Sequence, residues 1–345
     1  MTARLPVRAV FASEFWPGAS ARGLVPGFRD RGWLVDEVDV SHYLKPRPSL
    51  AGRIEGRLRR RQSLAAFQQA IIDSVDRHDA RVFITVKGVG VEASTLRKLR
   101  KRGVFLLNYY PDNQFNDTPI ELLANYDLVV TTKSFQVAEL SGTLSAERVG
   151  FLHHGYSPEH HRPIATSEKQ RDVDILYIGN ASQAKAEFLI ALAAALPEAR
   201  MRVIGDRWLT FARGTALEPA IVGQVLHGDY YAGEIARAKI VLAVHMGVDR
   251  RTGFEDLVST RTFEIPACGG FMLHVDNPEV RSLFAVPGEV DTFATAAELV
   301  EKVHYWLAHP EERQAVAARG HARAVPAYSY VKRANELARM VEERL

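Results

Sequence analysis

The chain has 345 residues, of which 47% are hydrophobic and 25% charged, a composition typical of a globular protein with room for two domains. The formal net charge of +3 argues against nucleic acid as a partner. The single cysteine, Cys268, excludes an internal disulfide framework and a cysteine-based zinc site. No apolar run approaches the roughly 18 residues of a membrane span, and the N-terminus lacks a signal-peptide core, so we expect a cytoplasmic protein.

Short apolar runs alternate with helical patterns through the first half of the chain. Strands are expected at Val7–Phe11, Leu34–Val40, Arg81–Val86, Val104–Asn108 and Leu128–Thr131. Helices are expected up to about Arg31 and at Leu50–His78, Glu92–Arg102 and Pro119–Asn125. This order predicts a parallel sheet covered by helices on both faces. The first strand–loop–helix turn lacks G-x-G-x-x-G, so the dinucleotide-binding fingerprint is absent.

One helical stretch is strongly basic. The run Arg53–Arg61 contains five arginines in nine residues. Such a run forms either a solvated helix face or a docking surface for an anionic acceptor or for lipid headgroups. The second alternative predicts peripheral contact with the inner face of the membrane.

An acidic residue follows the fourth expected strand. Ligands of parallel α/β sheets bind beyond the carboxyl ends of the strands, and Asp112 lies there within the run NYYPDNQFN. A carboxylate at this place can act as a general base towards an acceptor hydroxyl. The alternative is an aspartate that stabilises a turn.

Two histidine pairs surround the end of the first half. A last short strand, RVGFLHHG, ends in His153 and His154, and a polar segment rich in proline and charge follows as the interdomain linker. Neighbouring residues of an extended chain face opposite sides, and no cysteine or carboxylate completes a ligand set, so no metal site is expected. We expect His153 or His154 to contact substrate instead. The predicted domains are 1–160, 161–325, and 326–345 as a helix that packs back on the first domain.

A second strand-and-helix series begins after this linker. Strands are expected at Asp174–Ile178, Met201–Gly205, Ile221–Val225, Ile240–Val244, Phe271–His274 and Val290–Phe293. Helices are expected at Gln183–Leu196, Tyr230–Lys239, Asn277–Phe284, Ala296–His309, Pro310–Arg323 and Tyr328–Leu345. The last helix carries an apolar stripe at helical spacing, which predicts a core-facing helix that crosses back onto the first domain.

The first turn of this series has the chemistry of a phosphate site. Gly179 and Asn180 end the strand, small residues follow, and Lys185 lies in the first turn of the next helix. A strand, a small-residue loop and a helix present backbone N–H groups to an anion, to which Lys185 adds a charge. The alternative is a helix capped by Ser182 with Lys185 in solvent. Arg207 follows the next strand as a further cation.

The stretch Ser259–Leu273, STRTFEIPACGGFML, is predicted to be a short helix that leads into a strand. Arg261 and Glu264 lie three residues apart and share one helix face. The helix start near Thr260 suits a phosphate, and a carboxylate one turn along suits a pair of sugar hydroxyls. An ordinary capped helix is the alternative.

Three segments of the second half resemble the group-1-type C-terminal domain of GT-B glycosyltransferases, in particular the CgeB-like (spore-maturation-protein) family. They are ILYIGN at 175–180, STRTFEIPACGGFML at 259–273, and DNPEVRSLF with PGEVDTF within 276–293. FLHHGYSPEHHRP also resembles the hinge segment of this family. The resemblance implies an α/β fold of two Rossmann-like doubly wound domains facing a cleft, with a C-terminal helix crossing back. Residues 1–160 would form the acceptor side and residues 161–325 would bind the nucleotide-sugar.

The resemblance also implies roles for individual residues. Glu264 would bind the ribose hydroxyls of a nucleotide, while Arg261 and the amides near Thr260 would face its diphosphate. Gly179 and Asn180 would face the nucleotide-sugar. The chain departs from the E-x7-E block of retaining group-1 enzymes, because Glu255 precedes Glu264 by nine residues. Retention or inversion therefore stays open.

These observations predict a glycosyltransferase that moves a sugar from a nucleoside-diphosphate-sugar to an acceptor hydroxyl. The leaving charge would be stabilised by Arg261, Lys185 and helix-start amides, with no metal and no cofactor besides the donor. Glycan, lipid-linked, protein and small-metabolite acceptors all remain open, as do donor base, sugar and oligomeric state. Two alternatives remain, an enzyme of the same fold that resembles a UDP-sugar 2-epimerase and a noncatalytic nucleotide-sugar-binding module.

Overall fold

The computed structural model describes residues 6–44, 50–115, 118–223, 226, 228–245, 253 and 255–345, with the side chains of 50–58 outside that description. Two compact units divide the chain. The first comprises Met1–His153 with Tyr330–Leu345, and the second comprises His154–Ser329. Each unit is built on one parallel sheet, which confirms the predicted α/β class.

The first unit has a six-stranded parallel sheet in the order β2-β1-β3-β4-β5-β6. Its strands are β1 (Arg8–Ser13), β2 (Leu34–Asp39), β3 (Val82–Val86), β4 (Phe105–Tyr110), β5 (Leu128–Thr131) and β6 (Val149–Phe151). Its first five helices are α1 (Ser20–Asp30), α2 (Leu50–His78), α3 (Ala93–Lys101), α4 (Ile120–Leu123) and α5 (Gln136–Leu144). In β1, Ala9 and Phe11 belong to the core on one face of the sheet, and Val10 and Ala12 to the core on the other, as the alternation of strand side chains requires.

The second unit has a five-stranded parallel sheet in the order β11-β10-β9-β7-β8. Its strands are β7 (Val173–Ile178), β8 (Met201–Ile204), β9 (Ala238–Ala243), β10 (Met272–Val275) and β11 (Asp291–Phe293). Its helices are α6 (Gln183–Ala195), α7 (Leu209–Ala212), α8 (Asp229–Arg237), α9 (Thr260–Ala267), α10 (Pro278–Leu283), α11 (Ala296–Ala308) and α12 (Pro310–Ala324). Side chains of α6 and α11 pack on one face, and those of α8 and α9 on the other.

Two local expectations differ from the structure. Helix α5 was not predicted, because its sequence QVAELSGTL contains a glycine and a threonine of low helix propensity. The strand predicted over 221–225 does not form at its start, where Ile221 makes only an isolated bridge to Val203. Gly223 then has a left-handed φ of +68°, which ends the extended backbone. Residues 224–225 lie outside the described chain.

The last helix, α13 (Tyr330–Glu342), belongs to the first unit and packs against α1, as the apolar stripe predicts. The hydroxyls of Ser20 and Tyr330 lie 2.9 Å apart. Glu342 receives hydrogen bonds from Arg31 at 2.9 and 2.7 Å and from the Trp33 indole at 2.9 Å. These bonds and the buried face of α13 attach the end of the chain to the first sheet.

Close approach of these two helices requires glycine in α1, which allows a stability test. A Cβ at Gly27 would lie 2.3 Å from the Val331 carbonyl oxygen and 2.7 Å from the Ala334 Cβ. We expect Gly27→Ala to lower the free energy of unfolding by about 2–3 kcal/mol, because backbone atoms cannot move aside cheaply. Gly142→Ala in α5, where a Cβ meets nothing within 4 Å, is the matched control and should stabilise by about 0.5–1 kcal/mol. Equal effects in urea denaturation would contradict the proposed packing.

Candidate functional site

The carboxyl ends of β7 and β8 meet through two glycines. Gly179 follows β7 with φ +150°, and Gly205 follows β8 with φ +144°. A Cβ at Gly205 would lie 2.2 Å from the Gly179 carbonyl oxygen, so only glycine allows the two loops to touch. The Trp208 indole donates to the same carbonyl at 2.8 Å. The loop after β7 is therefore held at the edge of the sheet where parallel α/β folds bind ligands.

Arg261 reaches this loop from the first turn of α9. Its guanidinium carbon lies 5.5 Å from the centre of the Tyr177 ring, and Nη1 donates to the Ile178 carbonyl at 3.4 Å. A Cβ at Gly179 would lie 2.6 Å from this Nη1. Because Gly179 has no side chain, the guanidinium of Arg261 fits behind the loop.

The charge of Arg261 is only partly satisfied within the protein. Its Nε is buried and has no hydrogen-bond partner among the described residues. Burial opposes the charge, but the electrostatic influence of Tyr177, Tyr231 and Glu264 outweighs it and raises the pKa of Arg261. A buried donor on a permanent cation, without an acceptor, is the feature expected where an anionic ligand completes the site.

Lys185 braces the loop from the first turn of α6. Its ammonium group is buried, with the residue 6% exposed, and it donates to the Asn180 carbonyl at 2.9 Å. The Asn180 side chain accepts from the Asp206 backbone N–H at 3.0 Å. The alternative of a solvated Lys185 is therefore wrong. Ser182 begins α6 but makes no side-chain capping bond, so that part of the alternative is wrong as well.

The structure shows less about the two other predicted phosphate-site residues, Arg207 and Thr260. Arg207 is exposed in the loop after β8 and has a left-handed φ of +65°. Thr260 is the first residue of α9 and is half-buried. Both lie near the carboxyl edge of the second sheet by their position in the chain, and neither makes a contact with another described residue that assigns its role.

Glu264 lies on the same face of α9 as Arg261, one turn further along. Its side chain is 12% exposed, and its Oε1 lies 3.9 Å from His161 Nε2. Burial, and then the charge of Glu264, raise the pKa of Tyr231 well above its usual range, so this phenol stays protonated beside the carboxylate. One turn on, burial raises the pKa of Cys268, as expected for a small core residue rather than a nucleophile.

Sequence reasoning missed a histidine pair beneath the start of α9. His274 Nε2 lies 3.0 Å from His245 Nε2 and 2.9 Å from the Thr262 hydroxyl, while its Nδ1 lies 2.6 Å from the Val275 carbonyl. Nδ1 therefore carries the proton, and Nε2 accepts. Burial chiefly lowers the pKa of His274 to about 4, so the ring is neutral and holds Thr262 of α9.

This neutral histidine predicts a dependence of stability on pH. Because the pKa is lower in the folded state, its stabilising contribution is complete above the unfolded value of about 6.5 and falls as the pH drops to about 4. The loss should amount to roughly 3 kcal/mol. We expect His274→Gln to remove this part of the acid destabilisation in unfolding measured from pH 7 to 4. His304→Gln, at an exposed position of α11, is the control. A constant difference between His274→Gln and the wild type across this range would contradict the assignment.

The candidates for the acceptor side belong largely to the other unit. Asp112 lies two residues beyond β4, and its Oδ2 forms an ion pair with Lys87 Nζ at 2.8 Å. Gln136 donates to the Asp112 carbonyl at 2.9 Å, which holds the backbone in place. His153 is the last residue of the first unit before the crossing, and His154 is buried in the second. The residues predicted for nucleotide binding all lie in the second unit.

The acidic residue pair with the spacing of a metal-binding motif lies away from the candidate site. Asp172 and Asp174 have D-x-D spacing, but they lie at the amino-terminal end of β7, opposite the site. Asp172 pairs with Arg237 at 2.6 Å, and Asp174 with Lys239 at 2.8 Å and Arg200 at 3.1 Å. In the part of the chain that the structure describes, no three His, Cys, Asp or Glu side chains are grouped to hold a metal ion.

The two helix-covered parallel sheets define the GT-B fold of glycosyltransferases. Sucrose-phosphate synthase from Thermosynechococcus elongatus is 16% identical, with a TM-score of 0.69 over 98% of this chain and 99% of that one. A glycosyltransferase from Rickettsia africae is 9% identical, with a TM-score of 0.62 over 98% of each chain. Anabaena HepE in complex with UDP and glucose is 13% identical, with a TM-score of 0.61 over 98% and 100%.

Residues 183–339 match the model of a family described as glycosyl transferase-like. The matched region begins at α6 and includes Lys185, Arg207, Arg261 and Glu264. None of the curated protein sequences compared with the chain matches it.

Proposed function

We propose that this protein is a glycosyltransferase that transfers a sugar from a nucleoside-diphosphate-sugar to an acceptor hydroxyl, as a member of the CgeB-like group. The observation that carries the proposal is the guanidinium of Arg261 behind Gly179, with its buried Nε lacking a partner among the described residues. The glycosyl transferase-like match over 183–339 supports it. The complex of the fold neighbour HepE with UDP and glucose supports the class of donor.

On the donor side, the diphosphate binds at Arg261 and the first amides of α9 near Thr260, where helix dipole and cation act together. Glu264, one turn along, accepts hydrogen bonds from the ribose hydroxyls. Gly179 and Asn180 face the nucleotide-sugar. Lys185 and Arg207 supply further positive charge, with Lys185 also bracing the loop through the Asn180 carbonyl.

In the reaction, the bond between the anomeric carbon and the β-phosphate oxygen breaks, and the acceptor oxygen forms the new bond to that carbon. The negative charge left on the nucleoside diphosphate is stabilised by Arg261 and the helix-start amides, so the proposed reaction needs neither metal nor cofactor. The proton of the acceptor hydroxyl passes to a base, for which Asp112, His153 and His154 are the candidates. Lys87 holds the Asp112 carboxylate through its 2.8 Å ion pair.

We place the enzyme in the cytoplasm, with a glycan, lipid-linked or protein acceptor and no nucleic-acid partner. Arg59, Arg60 and Arg61 are exposed on α2, whereas the side chains of Arg53 and Arg57 lie outside the described residues. These exposed cations support peripheral contact with an anionic membrane surface. Among the helices described, none is at once long and apolar enough to cross a bilayer.

The proposal is tested by incubating the protein with a panel of UDP-, GDP-, ADP- and TDP-sugars. The shift of its melting temperature and the release of the nucleoside diphosphate are measured. We expect stabilisation by one nucleotide and release of that diphosphate when an acceptor is present. Stabilisation without turnover on any acceptor would favour the noncatalytic binding module. Conversion of the sugar without release of the nucleotide would favour the epimerase-like alternative.

A further inference from the structure

The His161 ring is fixed in the second unit, next to the Glu264 carboxylate. The residue is 5% exposed, and its Nδ1 accepts a hydrogen bond from the Ser157 backbone N–H at 3.0 Å. The backbone N–H of His161 donates to the Ser157 carbonyl at 2.8 Å, which closes a tight turn. The Tyr231 ring packs edge-on at 5.2 Å between centroids. The imidazole can therefore neither swing nor flip without breaking one of these contacts.

These contacts determine which nitrogen of His161 carries the proton. Since Nδ1 accepts from the backbone, the neutral ring bears its hydrogen on Nε2. Burial is the main cause that lowers the pKa of His161, assisted by His160 and opposed by Glu264, so the ring is neutral at pH 7. The Nε2–H group faces Glu264 Oε1 across 3.9 Å. This separation is too long for a hydrogen bond, so the interaction across it is the electrostatic attraction between the N–H dipole and the carboxylate.

The basic residues on either side of His161 have a different partner. Arg162 forms an ion pair with Asp229 at 2.8 Å, and His160 Nδ1 lies 3.3 Å from the same carboxylate. His160 Nε2 also lies 3.6 Å from Glu159 Oε2, so the neighbours of His161 face Asp229 and Glu159, whereas His161 faces Glu264 of α9. The segment HHRP is part of the stretch that resembles the hinge of the family, and the resemblance assigned no role to its second histidine.

We propose that His161 is a positioning residue that orients Glu264 Oε1 and leaves the second carboxylate oxygen for a ribose hydroxyl, so that the site selects ribonucleotides over 2′-deoxyribonucleotides. This inference rests on the proposed function, since it requires that Glu264 bind a ribose. A carboxylate held in one orientation loses little freedom on binding, and a missing hydroxyl leaves its buried oxygen unpaired. The selection therefore depends on how well Glu264 is fixed.

Three variants separate this role from simple closure of the turn. His161→Gln retains an N–H group near the place of Nε2 but loses the acceptor for Ser157. His161→Asn does the reverse, because its side-chain oxygen can replace Nδ1 while nothing reaches Glu264. His161→Phe keeps the ring against Tyr231 and loses both nitrogens. Calorimetry is carried out with UDP, GDP and ADP and with the 2′-deoxy counterpart of each. For the nucleotide that binds, it measures the ratio of the dissociation constant of the 2′-deoxyribonucleotide to that of the ribonucleotide.

We expect the ratio to fall about tenfold in His161→Asn and His161→Phe and to be largely retained in His161→Gln. The opposite order, with Asn retaining the ratio and Gln losing it, would show that His161 only closes the turn and would overturn the inference. Glu264→Ala distinguishes failure of the positioning role of His161 from failure of ribose binding by Glu264. If it abolishes the discrimination while all three His161 variants keep it, only the positioning role fails. If it leaves the ratio unchanged, ribose binding by Glu264 fails first.

Discussion

Replacing Glu264 with alanine is expected to weaken binding of the nucleoside diphosphate about 100-fold and to lower kcat/KM by at least as much. Each charged hydrogen bond from a ribose hydroxyl contributes roughly 1.5–3 kcal/mol, and the loss of two such bonds at the lower end of this range gives about this factor. We expect the fold to tolerate the change, because the neutral His161 ring lies 3.9 Å from the carboxylate, beyond hydrogen-bond distance. Titration calorimetry with UDP, GDP and ADP measures the change in affinity.

Glu255→Ala is the matched control for Glu264. It removes an exposed carboxylate of the same unit, nine residues earlier, to which no role in binding the nucleotide is assigned. We expect its affinity to equal that of the wild type. Undiminished affinity of Glu264→Ala, at unchanged thermal stability, would contradict the ribose assignment.

Gly179→Ala is expected to weaken nucleotide binding by on the order of tenfold to a hundredfold and to lower the free energy of unfolding by about 1–3 kcal/mol. The added Cβ would lie 2.6 Å from Arg261 Nη1 and 3.0 Å from the Tyr177 hydroxyl, so the guanidinium must move from its place. The end of a flexible side chain moves at little cost, whereas the φ of +150°, in a region open almost only to glycine, adds about 1–3 kcal/mol of backbone strain. The variant therefore tests whether the position of Arg261 matters for the diphosphate.

Alanine substitutions at two other glycines are controls that separate the displacement of Arg261 from a general loss of stability. At Gly214, where φ is +74° and a Cβ meets nothing within 4 Å, alanine introduces backbone strain alone and should leave affinity unchanged. At Gly205 the Cβ would meet the Gly179 carbonyl oxygen at 2.2 Å, so alanine should destabilise the unit by about 2–3 kcal/mol. If Gly179→Ala binds nucleotide as the wild type does, Arg261 does not bind the diphosphate.

Strongly patterned segments of the chain were readable without tertiary information. The pattern of α2 predicts its observed range Leu50–His78, and β5 is likewise found at Leu128–Thr131. In α9 the predicted shared face of Arg261 and Glu264 follows from helical periodicity alone. These features depend on local spacing, which a single sequence contains. Weak segments such as α5 depend on packing that it does not show.

The partners of the candidate residues could not be read in the same way. Lys185 appeared equally suited to solvent or phosphate, and the structure shows it buried against the Asn180 carbonyl five residues earlier. His161 was only part of a hinge motif, yet it lies against Glu264, about a hundred residues along the chain. His245 and His274 carried no motif at all, although they form a buried network with Thr262.

The sequence by itself determined the α/β class, the alternation of strands and helices, and the short helix that carries Arg261 and Glu264, because periodicity and turn chemistry act over a few residues. Only the tertiary structure decided that Gly179 lies over Arg261, that Gly205 touches Gly179, and that His161 faces Glu264. These contacts join elements far apart in the chain, and their geometry depends on the strand order β9-β7-β8 and on helix packing. Because one-dimensional spacing does not encode strand order, the chemistry of the site was predictable as a set of residues but not as a set of contacts.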